Sequence, residues 1–116
     1  MEVSVSAEQC LPIVVLEEIF RGRLLAIRRA EGQKRPADLE LTYRLLQRTF
    51  EGLRDVHILS FTADAELLYS QWRQQKIRVA THDLRIAAIC VVHQAKLISR
   101  NSRDFDQVPG LNVEYW

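Results

Sequence analysis

Residues 81–105 read THDLRIAAICVVHQAKLISRNSRDF. The sequence is nearly all apolar after Asp83, which predicts a buried helix from Leu84 to Gln94 with Asp83 at its start. Lys96 to Ser99 is predicted to be a short buried strand, and an acidic loop that holds Asp104 is expected to follow it. Two carboxylates brought together at one end of a sheet are typical of a site for a hard divalent cation, and such a site indicates phosphodiester chemistry.

The rest of the chain alternates between helical and extended patterns. Six further elements are predicted, namely helices over 12–30, 39–53 and 63–75 and strands over 3–6, 56–61 and 113–115. Strands that alternate with helices imply an α/β fold with parallel strands, right-handed crossovers and helices that cover the sheet. Ligands bind such sheets beyond the carboxyl ends of the strands, and Asp104 is expected to lie there.

The composition predicts an ordinary globular domain. The chain has 116 residues, 47% of them hydrophobic and 27% charged, and we expect a single domain over 1–116 with a divergent segment at 1–12. The net charge is +1, so a nucleic-acid partner would have to be met by a local basic patch. Cys10 and Cys90 have no metal-ligand or redox spacing, which favours a reducing cytoplasm.

No membrane or export segment is expected. No apolar run approaches the roughly 20 residues that a membrane span requires. Residues 1–5, Met1-Glu2-Val3-Ser4-Val5, contain no basic region and no apolar core, so they are not predicted to be a signal peptide.

Three runs near the C-terminus resemble the second half of a PIN domain, and most closely the VapC-like branch, which comprises the toxins of toxin–antitoxin pairs. They are Asp83 to Ala88, Ser99 to Phe105 and Val108 to Leu111. Upstream, Glu18 lies four positions before Gly22, which resembles the second acidic motif of the family. The resemblance extends over about residues 13–116. It implies a PIN-like three-layer α/β fold with a mostly parallel sheet flanked by helices.

The resemblance also implies an activity. PIN domains are metal-dependent ribonucleases whose acids bind Mg²⁺ or Mn²⁺, and the ion activates water and offsets charge on the phosphate. Carried over to this sequence, the catalytic and metal-binding acids would be Glu18, Asp83 and Asp104. Supporting roles toward the site or the substrate would fall to Ser99, Asn101 and Arg85. The partners implied are RNA, an antitoxin-like protein and a second copy of the chain in a homodimer.

The N-terminus departs from the family pattern. A PIN domain opens with an apolar strand that ends in an aspartate, the usual central metal ligand, and nothing here matches it. Glu2 and Glu8 are the only acids before Glu17, and neither ends an apolar strand. The resemblance therefore implies a fold truncated at the N-terminus, with impaired Mg²⁺ binding because few protein groups hold this ion. We expect residues 3–6 to pair into the vacated central position, or two chains to share a surface.

The residues also allow simpler interpretations. Asp83 could be a helix N-cap, Asp104 a turn residue and Glu18 a solvated acid. His82, which precedes a candidate ligand, could be catalytic or only structural. A group of cations could be a solvated face or, if it borders the acids, a contact for the RNA backbone; it consists of Arg73, Lys76, Arg78 and Arg85.

Two functions from different classes follow. The first is a metal-dependent endoribonuclease of the VapC toxin type. The alternative is a non-catalytic PIN-like remnant that binds RNA or protein. A response-regulator fold is a third α/β possibility, but the order and spacing of the acids do not suit a phospho-acceptor site.

Overall fold

The computed structural model of the protein describes residues 3–5, 10–33, 35–99 and 102–115. The described chain forms five strands and five helices. In chain order they are β1 Val3–Val5, β2 Cys10–Pro12, α1 Ile13–Gln33, α2 Pro36–Gly52, β3 His57–Leu59, α3 Ala63–Gln74, α4 Thr81–Val92, β4 Leu97–Ser99, α5 Ser102–Phe105 and β5 Val113–Tyr115. No helix in these ranges has the length and apolar character needed to cross a bilayer.

The five strands form one sheet in the order β3-β2-β1-β4-β5. β2 pairs in parallel with β3, and β4 pairs in parallel with β5. β1 lies between β2 and β4 and is antiparallel to both. Four of the five strands therefore run in the same direction, and the predicted α/β fold with a mostly parallel sheet and flanking helices is confirmed.

The central strand β1 is the segment that was expected to enter the sheet. Val3, Ser4 and Val5 face Ser99, Ile98 and Leu97 of β4, and Val5 also faces Cys10 of β2. The pairing predicted for residues 3–6 is thus confirmed for 3–5, while Ser6 lies outside the described residues. Because β1 is antiparallel, its carboxyl end lies at the edge of the sheet opposite to the carboxyl ends of its neighbours.

The N-terminal boundary of α1 corrects one prediction. Pro12 was expected to open the first helix, but it ends β2, and α1 begins at Ile13 and continues to Gln33 rather than to Ala30. β2 pairs with β1 only at Cys10, so the missing N–H of Pro12 removes no bond on that side of the sheet. A proline is compatible with such a strand end.

Three other helix boundaries also differ from the predictions. α2 begins at Pro36 instead of residue 39, because proline is favoured in the first helical turn. α4 runs from Thr81 to Val92 instead of from Leu84 to Gln94, with Ala80 at its N-cap. Asp83 is therefore inside the first turn and is not the N-cap. Asp104 lies in the short helix α5, where an acidic loop was predicted.

The core is built around α4, as its apolar sequence predicts. Leu84 and all five residues from Ile86 to Cys90 are fully buried, together with Leu97 of β4 and Phe105 of α5. Burial also raises the pKa of the Cys90 thiol to about 12, so this cysteine is an inert core residue. The helix that carries Asp83 is thus fixed on several sides, which limits how far its first turn can move.

Two helices end in the same motif, with a left-handed residue that is not glycine. After α4, Gln94 has φ 56°, its N–H donates to the Val91 carbonyl, and the Ala95 N–H donates to the Cys90 carbonyl. This is a Schellman motif, in which glycine is the favoured residue at the left-handed position. After α3, Lys76 has φ 61° and makes the equivalent bond to Arg73.

Replacement of Gln94 by glycine is expected to stabilise the fold. The left-handed conformation costs a residue with a Cβ atom about 1 kcal/mol, and glycine avoids that cost. Urea denaturation should show a higher midpoint for Gln94→Gly at an unchanged slope. Gln94→Ala, which keeps the Cβ atom, should show no gain, and a gain of equal size in both variants would contradict this explanation.

Candidate active site

The three candidate acids come from three helices near one edge of the sheet. Glu18 lies in the second turn of α1, which follows β2 directly. Asp104 lies in α5, which follows the carboxyl end of β4. Because β2 and β4 run in the same direction, their carboxyl ends share an edge. Asp83 lies in the first turn of α4, where the positive end of the helix favours a carboxylate.

The other two candidate acids raise the pKa of Asp83. Burial raises the pKa of this half-buried carboxyl above its ordinary value of 3.8, and the negative charges of Glu18 and Asp104 raise it further. His82 acts in the opposite direction and lowers it. The fold therefore places Glu18 and Asp104 each within electrostatic range of Asp83 and creates a local excess of negative charge.

The acids are nevertheless not arranged as a closed metal site. Within the described residues, no three His, Cys, Asp or Glu side chains are grouped so that they could hold a metal ion. Carboxylate oxygens are the donors that Mg²⁺ and Mn²⁺ prefer, so the acids fit such an ion in chemistry and in charge. Like charges repel, and a cation that offsets the repulsion would favour a closer approach of the three groups.

His82 connects two of the site elements. Its Nδ1 lies 3.1 Å from Oε1 of Glu18, and its Nε2 lies 3.7 Å from Oε1 of Glu17. A carboxylate can only accept a hydrogen bond, so Nδ1 must carry the proton in the contact with Glu18. This contact joins α1 to α4 across 64 positions of sequence. The sequence marked His82 only as the neighbour of Asp83, and no local pattern could have paired it with Glu18.

The structure describes two of the three supporting residues, Ser99 and Arg85, and they occupy different environments. Ser99 is fully buried at the last position of β4. Asn101 lies outside the described residues. Arg85 lies over the ring of Tyr69. It is not among the charged groups that shift the pKa of Asp83, which are Glu18, Asp104 and His82. The structure thus brings the three acids near one another and places Arg85 against α3.

Comparison with known sequences gives one local similarity. A stretch of 40 residues is 40% identical to the protein named Ribonuclease VapC1 of Rickettsia felis. That stretch covers 34% of this chain and 30% of the relative, so the match spans less than a third of the length of the relative. No protein-family model matches the sequence.

Comparison with solved structures shows the fold. VapBC from Salmonella typhimurium, solved with bound DNA, is similar with a TM-score of 0.63 and 21% identity, over 92% of this chain and 74% of that chain. The toxin–antitoxin system VapBC-5 from Mycobacterium tuberculosis gives a TM-score of 0.61 and 24% identity, over 90% and 77% of the two chains. The resemblance to VapC-like PIN domains is thereby confirmed in the fold.

Proposed function

We propose that this chain, which has the fold of VapC-like PIN domains, is an endoribonuclease of the VapC toxin type that uses Mg²⁺ or Mn²⁺. The observation that carries this proposal is the position of Glu18 and Asp104 close to the half-buried Asp83: burial raises the pKa of Asp83, the two neighbouring charges raise it further, and a divalent cation would relieve their repulsion. When bound, the ion would supply an activated water and charge stabilisation. The local similarity to a protein named as a ribonuclease supports the same reaction.

Mn²⁺ is expected to stabilise the protein, and Asp83→Asn is expected to abolish that stabilisation. A ligand that binds only the folded state adds about 1.4 kcal/mol at a free concentration ten times its Kd, which raises the melting temperature. Thermal melting with increasing Mn²⁺ measures the effect. Asp64→Asn is the matched control, because Asp64 is exposed in the first turn of α3 and undergoes the same change of charge. Its Mn²⁺ response should equal that of the wild type.

The same variant should be more stable than the wild type without metal at neutral pH. The folded state raises the pKa of Asp83, so between 3.8 and the raised value the native state binds more protons than the unfolded state. Stability therefore falls as pH rises through this range, and Asp83→Asn removes the loss. Below pH 3.8 the advantage of the variant should disappear, because Asp83 is then protonated in both states. An advantage that persists there would contradict the electrostatic explanation.

The alternative is a non-catalytic module that binds RNA or protein. It is favoured by the finding that no described group of side chains already has the grouping of a metal site. Under this alternative, millimolar Mn²⁺ would leave the melting temperature of the wild type unchanged, and Asp83→Asn would be more stable at every metal concentration. The Mn²⁺ titration therefore separates the two functions.

Protein partners belong to the same proposal. The similar solved structures are toxin–antitoxin complexes, and we extend an antitoxin-like partner and a homodimer to this chain. α2 has no buried residue, and large apolar side chains on α1 and α2 are exposed, which is typical of surfaces that another chain covers; they are Leu24, Leu25, Leu41 and Phe50. A monomer at all concentrations in sedimentation would contradict the homodimer.

A further inference from the structure

The α3–α4 side of the domain carries an arginine pair that the proposed metal site does not use. The guanidinium carbons of Arg73 and Arg85 each lie 5.2 Å from the centre of the Tyr69 ring. Both arginines are half-buried, and neither is within salt-bridge distance of a carboxylate among the described residues. Other cations, such as Arg21 and Arg44, pair with a glutamate one turn away.

Arg73 has a sufficient structural explanation. Its Nε donates to the Tyr69 hydroxyl at 3.2 Å, and its Nη1 donates to the Ile77 carbonyl at 3.0 Å. Its Nη2 reaches the Thr81 hydroxyl at 3.4 Å. These bonds fix the end of α3 against the start of α4. The role of Arg73 is therefore to hold the pair in place.

Arg85 has the contact with the Tyr69 ring but no hydrogen bond to a described residue. Its Nε is buried and has no hydrogen-bond partner among the described residues. Desolvating a charged group without a partner is unfavourable, and an apolar side chain of similar length would pack on Tyr69 without that cost. An anion that binds the guanidinium of Arg85 would supply an acceptor that the described residues do not.

The local potential is positive. The hydrogen bond from Arg73 lowers the pKa of the Tyr69 phenol, and the charges of Arg73 and Arg85 add to this effect although burial opposes it. Lys76 and Arg78 are exposed in the loop that joins the two helices carrying Arg73 and Arg85. An anion beside the Tyr69 ring would meet Arg73 and Arg85 together.

The position of Arg85 relates this anion site to the acids. Asp83 and Arg85 are two residues apart, so along α4 they are separated by about 3 Å, and around the helix they are separated by about 200°. A helix with its side chains is about 10 Å across. A phosphodiester chain that places one phosphate at the acids can thus cross the N-terminal end of α4, where the helix dipole favours phosphate, and reach Arg85.

We infer that Arg85, held against Tyr69 beside Arg73, binds a backbone phosphate of the same single-stranded RNA that places another phosphate at the acids. The inference rests on the proposed function, which places the phosphate of the cleaved bond at the acids. Arginine suits the task because its planar guanidinium can donate two parallel hydrogen bonds to a phosphate. Such a contact positions the strand without reading its sequence.

Binding of a fluorescent oligouridylate in the presence of EDTA tests the inference, because no metal-dependent cleavage occurs under those conditions. Arg85→Gln should weaken binding about tenfold, the effect of losing one hydrogen bond to a charged group. The slope of log K against log salt should become shallower by about 0.7, corresponding to one phosphate contact. Arg85→Lys, which keeps the charge, should keep the slope, and Arg44→Gln on α2 should bind like the wild type.

The outcomes separate this inference from the proposed function. If Arg85→Gln binds RNA with wild-type affinity and slope, the inference is overturned even where Mn²⁺ stabilises the protein. If Mn²⁺ has no effect but Arg85→Gln still loses affinity and slope, the inference stands and the nuclease proposal fails. Urea denaturation controls for folding, and Arg85→Gln should stay folded because Arg85 donates no described hydrogen bond and the variant loses only the contact with the Tyr69 ring. A variant that unfolds instead would assign Arg85 a purely structural role and overturn the inference.

Discussion

Replacement of Asp104 by asparagine is expected to reduce Mn²⁺-dependent cleavage of single-stranded RNA by about 100-fold or more. Removal of one group that stabilises charge in a transition state has an effect of this size. The change keeps the shape of the side chain but removes a negative charge from the acid group formed with Glu18 and Asp83. The remaining acids would bind the cation more weakly and hold it less precisely. Initial rates on a generic labelled RNA, with and without Mn²⁺, measure the loss.

Two further variants make this test specific. Asp64→Asn should cleave at the wild-type rate, because Asp64 lies exposed on α3 and contributes nothing to the acid group. The double variant Asp83→Asn/Asp104→Asn should lose little more activity than either single variant, because groups that act as a unit are not additive. Cleavage that survives Asp104→Asn unchanged would remove this residue from the mechanism. Cleavage that does not require metal would point to a contaminating nuclease.

The buried parts of the fold could be predicted from sequence, whereas β2 and α5 could not. The apolar run in α4 has only one stable location, the core, and the structure buries it there. The boundary at Thr81 was missed because Ala80 at the N-cap makes no side-chain hydrogen bond that a sequence pattern could reveal. β2 was missed because it ends at Pro12, which was assigned to the start of the first helix, and α5 has four residues, which is too few for a helical period. Pairing with β3 stabilises β2, and that contact is not local in sequence.

The acids of the candidate site could be predicted, but the contacts of the residues around them could not. Glu18, Asp83 and Asp104 were selected by family resemblance, and the structure brings them into electrostatic range, while their role as metal ligands stays a prediction. The contact of His82 with Glu18 depends on how α1 packs against α4, which no local signal specifies. Arg85 was expected to support the site or the substrate. Helical geometry places it about 200° away from Asp83, so the two side chains face apart.

Replacement of Val5 by proline is expected to destabilise the fold by about 3 kcal/mol. Val5 lies in the central strand, with Cys10 on one side and Leu97 on the other. Its N–H therefore points at a neighbouring strand, whichever side of β1 it faces. Proline removes this donor, which leaves an acceptor in the sheet unsatisfied at a cost of about 1–3 kcal/mol. It also fixes φ near −65°, away from the value of about −140° typical of antiparallel strands. Domains of this size are stable by only about 5–15 kcal/mol, so the loss should be clear in urea denaturation.

A proline in the outer strand β5 provides the matched control. The Leu97 N–H donates to the Asn112 carbonyl at 2.9 Å, so this carbonyl points from the β5 side toward β4. The N–H of the next residue, Val113, points in the opposite direction, toward the open side of the outer strand β5. Val113→Pro should therefore cost much less than Val5→Pro. Equal losses would indicate a general effect of proline in strands. An unchanged stability of Val5→Pro would mean that residues 3–5 contribute nothing to the sheet in solution. In that case β2 and β4 would have no strand between them, and the edge at which Glu18 and Asp104 meet would lose its support.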